Sequence, residues 1–284
     1  MNREIENRIE RLKKIEANDN PLFFILGPCV IENESHCLKI AEFLKTLSIK
    51  LKFNFIFKSS YDKANRTAIQ NYRGIGLYQG LKILDKIRSQ LEIPIITDVH
   101  DITQISDVAE VVDILQIPAF LSRQTDLLVA AGNTGKIIHV KKGQFLNPES
   151  MKQVVAKVKS TGNVNIWICE RGYVFGYNNL IVDYRNFPIM KKIGSPIVFD
   201  ATHSVQRPGG QGCSSGGDRN FVSNLAVAAV AQSIAGIFME VHDEPEKALC
   251  DGPNSIRLSQ LEDLLKYLID LDSWIKSRKI PNVN

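Results

Sequence analysis

Eight short runs rich in Val, Ile, Leu and Phe recur along this chain, with helix-patterned segments standing between them. The runs are Phe23–Val30, Asn54–Ser60, Ile93–Val99, Ile114–Pro118, Ile137–Lys142, Asn165–Glu170, Ile197–Ala201 and Gly236–Val241. Between them, segments such as Ser35–Leu51, Gly76–Leu91, Pro148–Ser160 and Asp218–Ala235 space their apolar residues like helices with one buried face. Strand and helix alternating eight times predicts an α/β fold, a (β/α)8 TIM barrel. The doubly wound open sheet is the alternative, but no GxGxxG follows the first run, as a dinucleotide fold requires. No composition break marks a linker. We therefore expect one barrel domain over residues 21–284, preceded by a charged helical extension at 1–20.

In a barrel of this kind, reactive groups stand at the C-terminal ends of the strands. Read in order, those ends offer Cys29; Lys58 and Ser60; Asp98 and His100; Gln116; Lys141 and Lys142; Glu170 and Arg171; Asp200 and His203; and Glu240 and His242. Eight polar endings converging on one mouth predict a large and highly charged site.

The densest stretch is KSSYDKANRTAIQNYR, from Lys58 to Arg73. Lys58, Lys63 and Arg66 suit a substrate with more than one phosphate or carboxylate group, because fixed cations hold oxyanions by charge-assisted hydrogen bonds. Taken alone, the stretch reads equally well as a solvated basic loop. Lys141 and Arg171 add cations from other strands, with Arg66 and Arg123 in following loops. Lysines pointing inward together would repel unless an anion sits among them.

A second constellation is Cys29, His203, Glu240 and Asp251. Ligands from the first, seventh and eighth strands become neighbours when the eighth closes against the first. One sulfur, one imidazole and two carboxylates suit Zn²⁺, Fe²⁺ or Mn²⁺. A cysteine alone is more often a small buried hydrophobe than a ligand, and His100 and His242 read equally as core or supporting histidines. The loop HSVQRPGGQGCSSGG (203–217) holds five glycines and three serines, which predicts a lid beside the mouth rather than a packed connection. Cys213 within it reads as incidental.

Composition excludes several classes. Apolar residues make up 44% and charged residues 23%, with a net charge of +4. That is a soluble globular balance, too weakly basic for nucleic acid, and the basic residues form no tail or aromatic-basic alternation. The most apolar stretch, Leu225–Val241, is broken by Gln232, Ser233, Gly236 and Glu240, so no membrane span is expected. Five scattered cysteines without a CxxC pair argue against a disulfide framework or zinc ribbon. The start lacks the apolar core of a signal peptide, and we expect a cytoplasmic protein.

Seven ordered blocks carry a resemblance: KSSYDKANR, TDVH (Thr97–His100), QIPAFLSRQTDLL (Gln116–Leu128), VKKGQF (Val140–Phe145), ERG with FGYNNLIVD (Glu170–Asp183), FDATHSVQ (Phe199–Gln206) and FMEVHDEPEKALCDGP (Phe238–Pro253). From about Pro21 to Leu271 the chain resembles the 3-deoxy-D-manno-octulosonate 8-phosphate synthases. The resemblance implies condensation of phosphoenolpyruvate with arabinose 5-phosphate and release of phosphate, feeding the inner core of lipopolysaccharide. It implies a homotetramer in which Arg123 reaches a neighbouring subunit's sugar-phosphate site.

That family has a metal-dependent branch, marked by cysteine in the first-strand motif, and a metal-independent branch with asparagine there. GPCVIE, with Cys29, resembles the first, and His203, Glu240 and Asp251 match its other ligands, although the CDGP run occurs in both branches. The resemblance places phosphoenolpyruvate on Lys58, Ser60, Lys63, Lys141, Gln144 and Arg171. It places arabinose 5-phosphate on Asn65, Arg66 and Thr67, and gives Cys29, Lys63, Asp98, His100, His203 and Asp251 catalytic roles. Departures are small: Thr67, Ala68 and Tyr61 stand where Ser, Ser and Phe are common. Two rivals are the sister synthase using erythrose 4-phosphate, whose loop typically reads KPRTS where this chain has KANRT, and a non-enzymatic phosphosugar-binding barrel.

Overall fold

In the computed structural model of the protein, the described residues are 3–15, 18–210, 215–278 and 281. Eight parallel strands close into a barrel: β1 Phe23–Gly27, β2 Asn54–Lys58, β3 Ile95–Asp98, β4 Ile114–Ile117, β5 Ile137–Lys141, β6 Ile166–Glu170, β7 Ile197–Asp200 and β8 Gly236–His242. Each pairs with its neighbour in sequence, and β8 returns to β1 with Phe23 opposite Gly236 and Gly27 opposite Glu240. The expected (β/α)8 barrel is the fold. Seven of the strands are shorter than their apolar runs, while β8 continues one residue past its run to His242; past β1 and β2, one isolated bridge joins Val30 to Ser60.

Among the described residues nine helices accompany them: α1 Arg3–Lys13, α2 Glu34–Leu51, α3 Leu77–Leu91, α4 Ile105–Val111, α5 Thr125–Gly132, α6 Met151–Lys159, α7 Asn186–Lys191, α8 Val222–Val230 and α9 Leu258–Lys276. Asn33 caps α2, its side chain accepting the His36 N–H at 2.9 Å.

The strands are buried on both faces, and their pleat sorts side chains into two cores. Phe24, Leu26, Phe57, Ile95, Leu115, Ile138 and Ile168 pack outward against the helices. Phe23, Ile25, Ile56, Ile96, Ile114, Ile137, Trp167, Val198 and Phe238 fill the interior. Leu12 and Ile15 join that interior set, and Asn18 accepts the N–H of Ile197 at the start of β7 (2.8 Å). The N-terminal segment therefore seals the end of the barrel where the strands begin.

The opposite end is polar. At Gly27 the neighbouring strand comes so close that a Cβ would lie 1.9 Å from the Lys58 carbonyl oxygen, so β1 and β2 meet here only because residue 27 is glycine.

Candidate active site

Alternation through the pleat decides which polar ending enters the barrel. Ile56 points inward, so Lys58 does too; Ile96 brings in Asp98, Ile114 brings in Gln116, and Ile137 brings in Lys141. Trp167 and Cys169 lead to Arg171, Val198 to Asp200, and Phe238 to Glu240. Lys142 and Glu170 were expected at the mouth beside their neighbours, but the same alternation turns both outward. There Lys142 lies 3.4 Å from Glu170 and over the Tyr173 ring. Glu170 also accepts the N–H groups of Arg171 (2.9 Å) and Gly172 (2.7 Å), fixing the chain where Arg171 turns in.

A cavity of about 370 Å³ opens at this end. Lys58, Lys63, Asn65, Arg66, Thr67, Asp98, His100, Lys141, Gln144, Arg171, His203 and Asp251 all line it. Ser60 sits just beneath, accepting from Lys58 (2.7 Å) and Lys63 (3.2 Å) and donating to Asp98 (2.5 Å). His100 Nε2 is 2.8 Å from the other Asp98 oxygen.

The buried lysines were expected to need an external anion, but carboxylates partner them. Lys58 lies 3.6 Å from Asp98, Lys63 lies 3.8 Å from Glu240, and Lys141 pairs with Asp200. Burial opposes ionisation of Asp98, yet Lys58 and His100 hold its carboxyl well below the usual range. Asp200 is likewise held low against burial by His203 and Lys141. Burial and the adjacent Lys63 push the Lys58 ammonium down.

The donors left over are guanidinium groups. Arg171 Nη1 and Arg66 Nε are buried without a hydrogen-bond partner, and so is Gln144 Oε1. Two arginines that line one cavity and each keep an unbonded donor could take anionic groups, since buried donors are costly unless bonded.

Cys29, His203, Glu240 and Asp251 fall into two overlapping groups that share Asp251, and of the four His203 and Asp251 line the cavity. Ligand atoms of His203, Glu240 and Asp251 lie within 4.8 Å of one another, as do those of Cys29, Cys250 and Asp251. His203 Nε2 is 3.4 Å from Glu240 and 3.5 Å from Asp251. Both Glu240 carboxylate oxygens are buried without a hydrogen-bond partner, with the charges of Lys63 and His203 near them, while burial and contact with Cys250 push the Cys29 thiol well up. A carboxylate without hydrogen bonds beside a thiol, an imidazole and a second carboxylate fits a divalent transition ion, whose charge would hold the thiol as thiolate.

The DAHP synthetase I family model matches residues 4–277. The chain belongs to that family. Within it, the chain is similar to curated proteins named 2-dehydro-3-deoxyphosphooctonate aldolase. The one from Geobacter sp. (strain M21) is 58% identical over 255 residues, 90% of this chain and 93% of that protein. The one from Geobacter sulfurreducens (strain ATCC 51573 / DSM 12127 / PCA) is 57% identical over 260 residues, 92% and 96% of the two chains. That from Desulfatibacillum aliphaticivorans is 59% identical over 249 residues, 88% and 91%.

Arg123, expected to reach a neighbouring subunit's site, does not line this chain's own cavity. It is exposed, and its carbonyl accepts from Lys157 at 2.8 Å. The sequence reading also missed Gln206. It accepts from Arg171 (3.2 Å) and donates to Asp251 (3.2 Å), joining the anion side of the cavity to the proposed ligand side. Its place three residues after His203 in the same block was the available signal. In the glycine-rich loop, Gln206–Arg207 pair with Gly216–Gly217, and Pro208 and Ser215 line the cavity. Residues 211–214, including Cys213, lie outside the described residues.

Proposed function

We propose that this protein is a 3-deoxy-D-manno-octulosonate 8-phosphate synthase, the enzyme also named 2-dehydro-3-deoxyphosphooctonate aldolase. It condenses phosphoenolpyruvate with D-arabinose 5-phosphate and water, releasing phosphate, in the synthesis of the lipopolysaccharide inner core. The observation that carries this reading is the pair of arginines lining one cavity, each with one nitrogen still lacking a hydrogen-bond partner, placed within a chain whose relatives bear that enzyme's name over nine-tenths of its length.

In this reading Arg171, Lys141, Lys58, Lys63, Ser60 and Gln144 hold the phosphate and carboxylate of phosphoenolpyruvate. Arg66 takes the phosphate of the sugar, while Asn65 and Thr67 bond its hydroxyls. Carbon 3 of phosphoenolpyruvate forms the new bond to the sugar's aldehyde carbon. The cationic centre left at carbon 2 takes up water, and the carbon–oxygen bond to phosphate breaks. Asp98 and His100 are the proton-handling pair: Asp98 fixes Nε2, leaving His100 Nδ1 unpartnered. Cys29, His203, Glu240 and Asp251 would hold Zn²⁺, Fe²⁺ or Mn²⁺, which when bound supplies Lewis acidity toward the water or the aldehyde.

The reaction is tested by supplying phosphoenolpyruvate with either arabinose 5-phosphate or erythrose 4-phosphate and measuring phosphate release. Faster release with the pentose phosphate is expected. Preference for the tetrose would move the chain to the sister synthase, and no release with either would leave a binding barrel.

Two further parts belong to the reading. Among the described residues, Cys29, Cys37, Cys169 and Cys250 are free thiols, and no helix is long and apolar enough to cross a membrane. Both suit a reducing cytoplasm. A homotetramer sharing its sites suits Arg123, which is exposed and outside its own cavity. Mixing Arg123→Ala with Arg66→Ala protein under subunit exchange then regenerates activity above the average of the two. Its absence despite proven exchange would place both arginines in one subunit's site, or Arg123 in none.

A further inference from the structure

Glu32 lies three residues past Cys29, outside the cavity. One of its carboxylate oxygens makes two contacts: it accepts the N–H of Leu249 at 2.9 Å and lies 3.3 Å from His242 Nε2. His242, nearly buried, ends β8 two residues beyond Glu240. Leu249 stands two residues before Asp251. A single oxygen therefore ties together the three segments that carry Cys29, Glu240 and Asp251.

The direction of these bonds follows from the ring. His242 Nδ1 accepts the N–H of Glu244 at 3.0 Å, so in the neutral ring Nε2 carries the proton and points it at Glu32. Ligand atoms of Glu32, His36 and His242 also lie within 4.8 Å of one another. With Nε2 engaged as a donor, this trio is a hydrogen-bonded clamp rather than a second metal site. His36 adds to it from α2: its ring lies 4.6 Å from that of His242, and its Nε2 lies 2.9 Å from Asp243.

The segment after Leu249 needs holding. Asp251 has φ of 48°, the left-handed region that is uncommon for a non-glycine residue, though Asp tolerates it better than most.

We propose that Glu32 is a positioning residue for the metal site, holding Cys29, Glu240 and Asp251 in ligating register through His242 and the Leu249 amide. The inference rests on the metal reading above. Outer groups that orient ligands typically change metal affinity 10- to 100-fold when removed. Here the tie depends on reach and on an acceptor oxygen rather than on charge. Glu32→Gln keeps an oxygen at the same reach, whereas Glu32→Asp keeps the charge but is one methylene too short to serve both partners.

The test uses the full-length protein, stripped of metal and titrated with Co²⁺ against a chromophoric chelator, while the thiolate-to-cobalt absorption band is recorded. Glu32→Asp and Glu32→Ala are expected to bind Co²⁺ at least about tenfold more weakly, with a shifted or weakened band. Glu32→Gln should stay within about threefold of the parent and keep its band. Should Glu32→Ala fail to fold, the Asp and Gln variants decide alone. Parent-like affinity and band in Glu32→Asp would overturn the clamp while leaving the metal reading intact. Failure of the parent protein to bind Co²⁺ through a thiolate would sink both.

Discussion

His139 is the plainest case of a residue whose behaviour follows from its strand position. It points into the barrel between Ile137 and Lys141, fully buried, with both ring nitrogens lacking a partner. Burial first, and then the Lys141 ammonium, push its pKa down to about 3. In the unfolded chain it titrates near 6.5, so as pH falls below 6.5 the unfolded state binds a proton that the folded state refuses. Stability is then lost at about 1.4 kcal/mol per pH unit from this residue alone, down to its folded pKa. Asp98 and Asp200 have depressed folded values, so their contribution fades only below about pH 4. The window from 6.5 to 4 separates the effects. Between pH 6.5 and 5, urea unfolding of the parent should lose about 2 kcal/mol more than that of His139→Gln. Parallel profiles would show that the ring is not buried as a neutral base. Legibility at this scale was uneven. Lysines, arginines and candidate ligands could be read from strand ends, but their counterions could not. Asp98, Asp200 and Glu240 were visible as residues, yet their pairing with lysines on other strands depends on barrel radius and strand stagger. The inward or outward choice between Lys141 and Lys142 was available from the period-two pattern of β5.

Strands were the most legible elements, because each is a short β-rich run bounded by turn or polar residues. Their ends were the least legible: Ile93–Val99 was the run and Ile95–Asp98 is the strand, since apolar residues continue past the last ladder bond. The helices α4 and α5 span only seven and eight residues, too short for a strong period. The N-terminal segment could be read as a charged helix but not placed. Only the buried positions of Leu12 and Ile15 among residues from all eight strands show that it covers the barrel floor. The loop around Arg66 lies at the opposite extreme. Asn65 and Thr67 are exposed rim residues held by no strand, and a rim of this kind is where substrate length is read.

For the molecule as a whole, closure of β8 on β1 is the decisive event. It brings Gly27 opposite Glu240 and so unites Cys29 with residues from the far end of the chain, while β2 and β6 deliver Arg66 and Arg171 to one cavity. We infer that this cavity has two separate anion ends, Arg171 for phosphoenolpyruvate and Arg66 for the sugar phosphate. Steady-state kinetics of two single variants test it directly. Losing a charge-assisted bond costs about 1.5–3 kcal/mol, roughly tenfold or more in kcat/KM. Arg66→Ala should raise KM for arabinose 5-phosphate and leave that for phosphoenolpyruvate near the parent value, with Arg171→Ala doing the reverse. Equal losses for both substrates in both variants would contradict it.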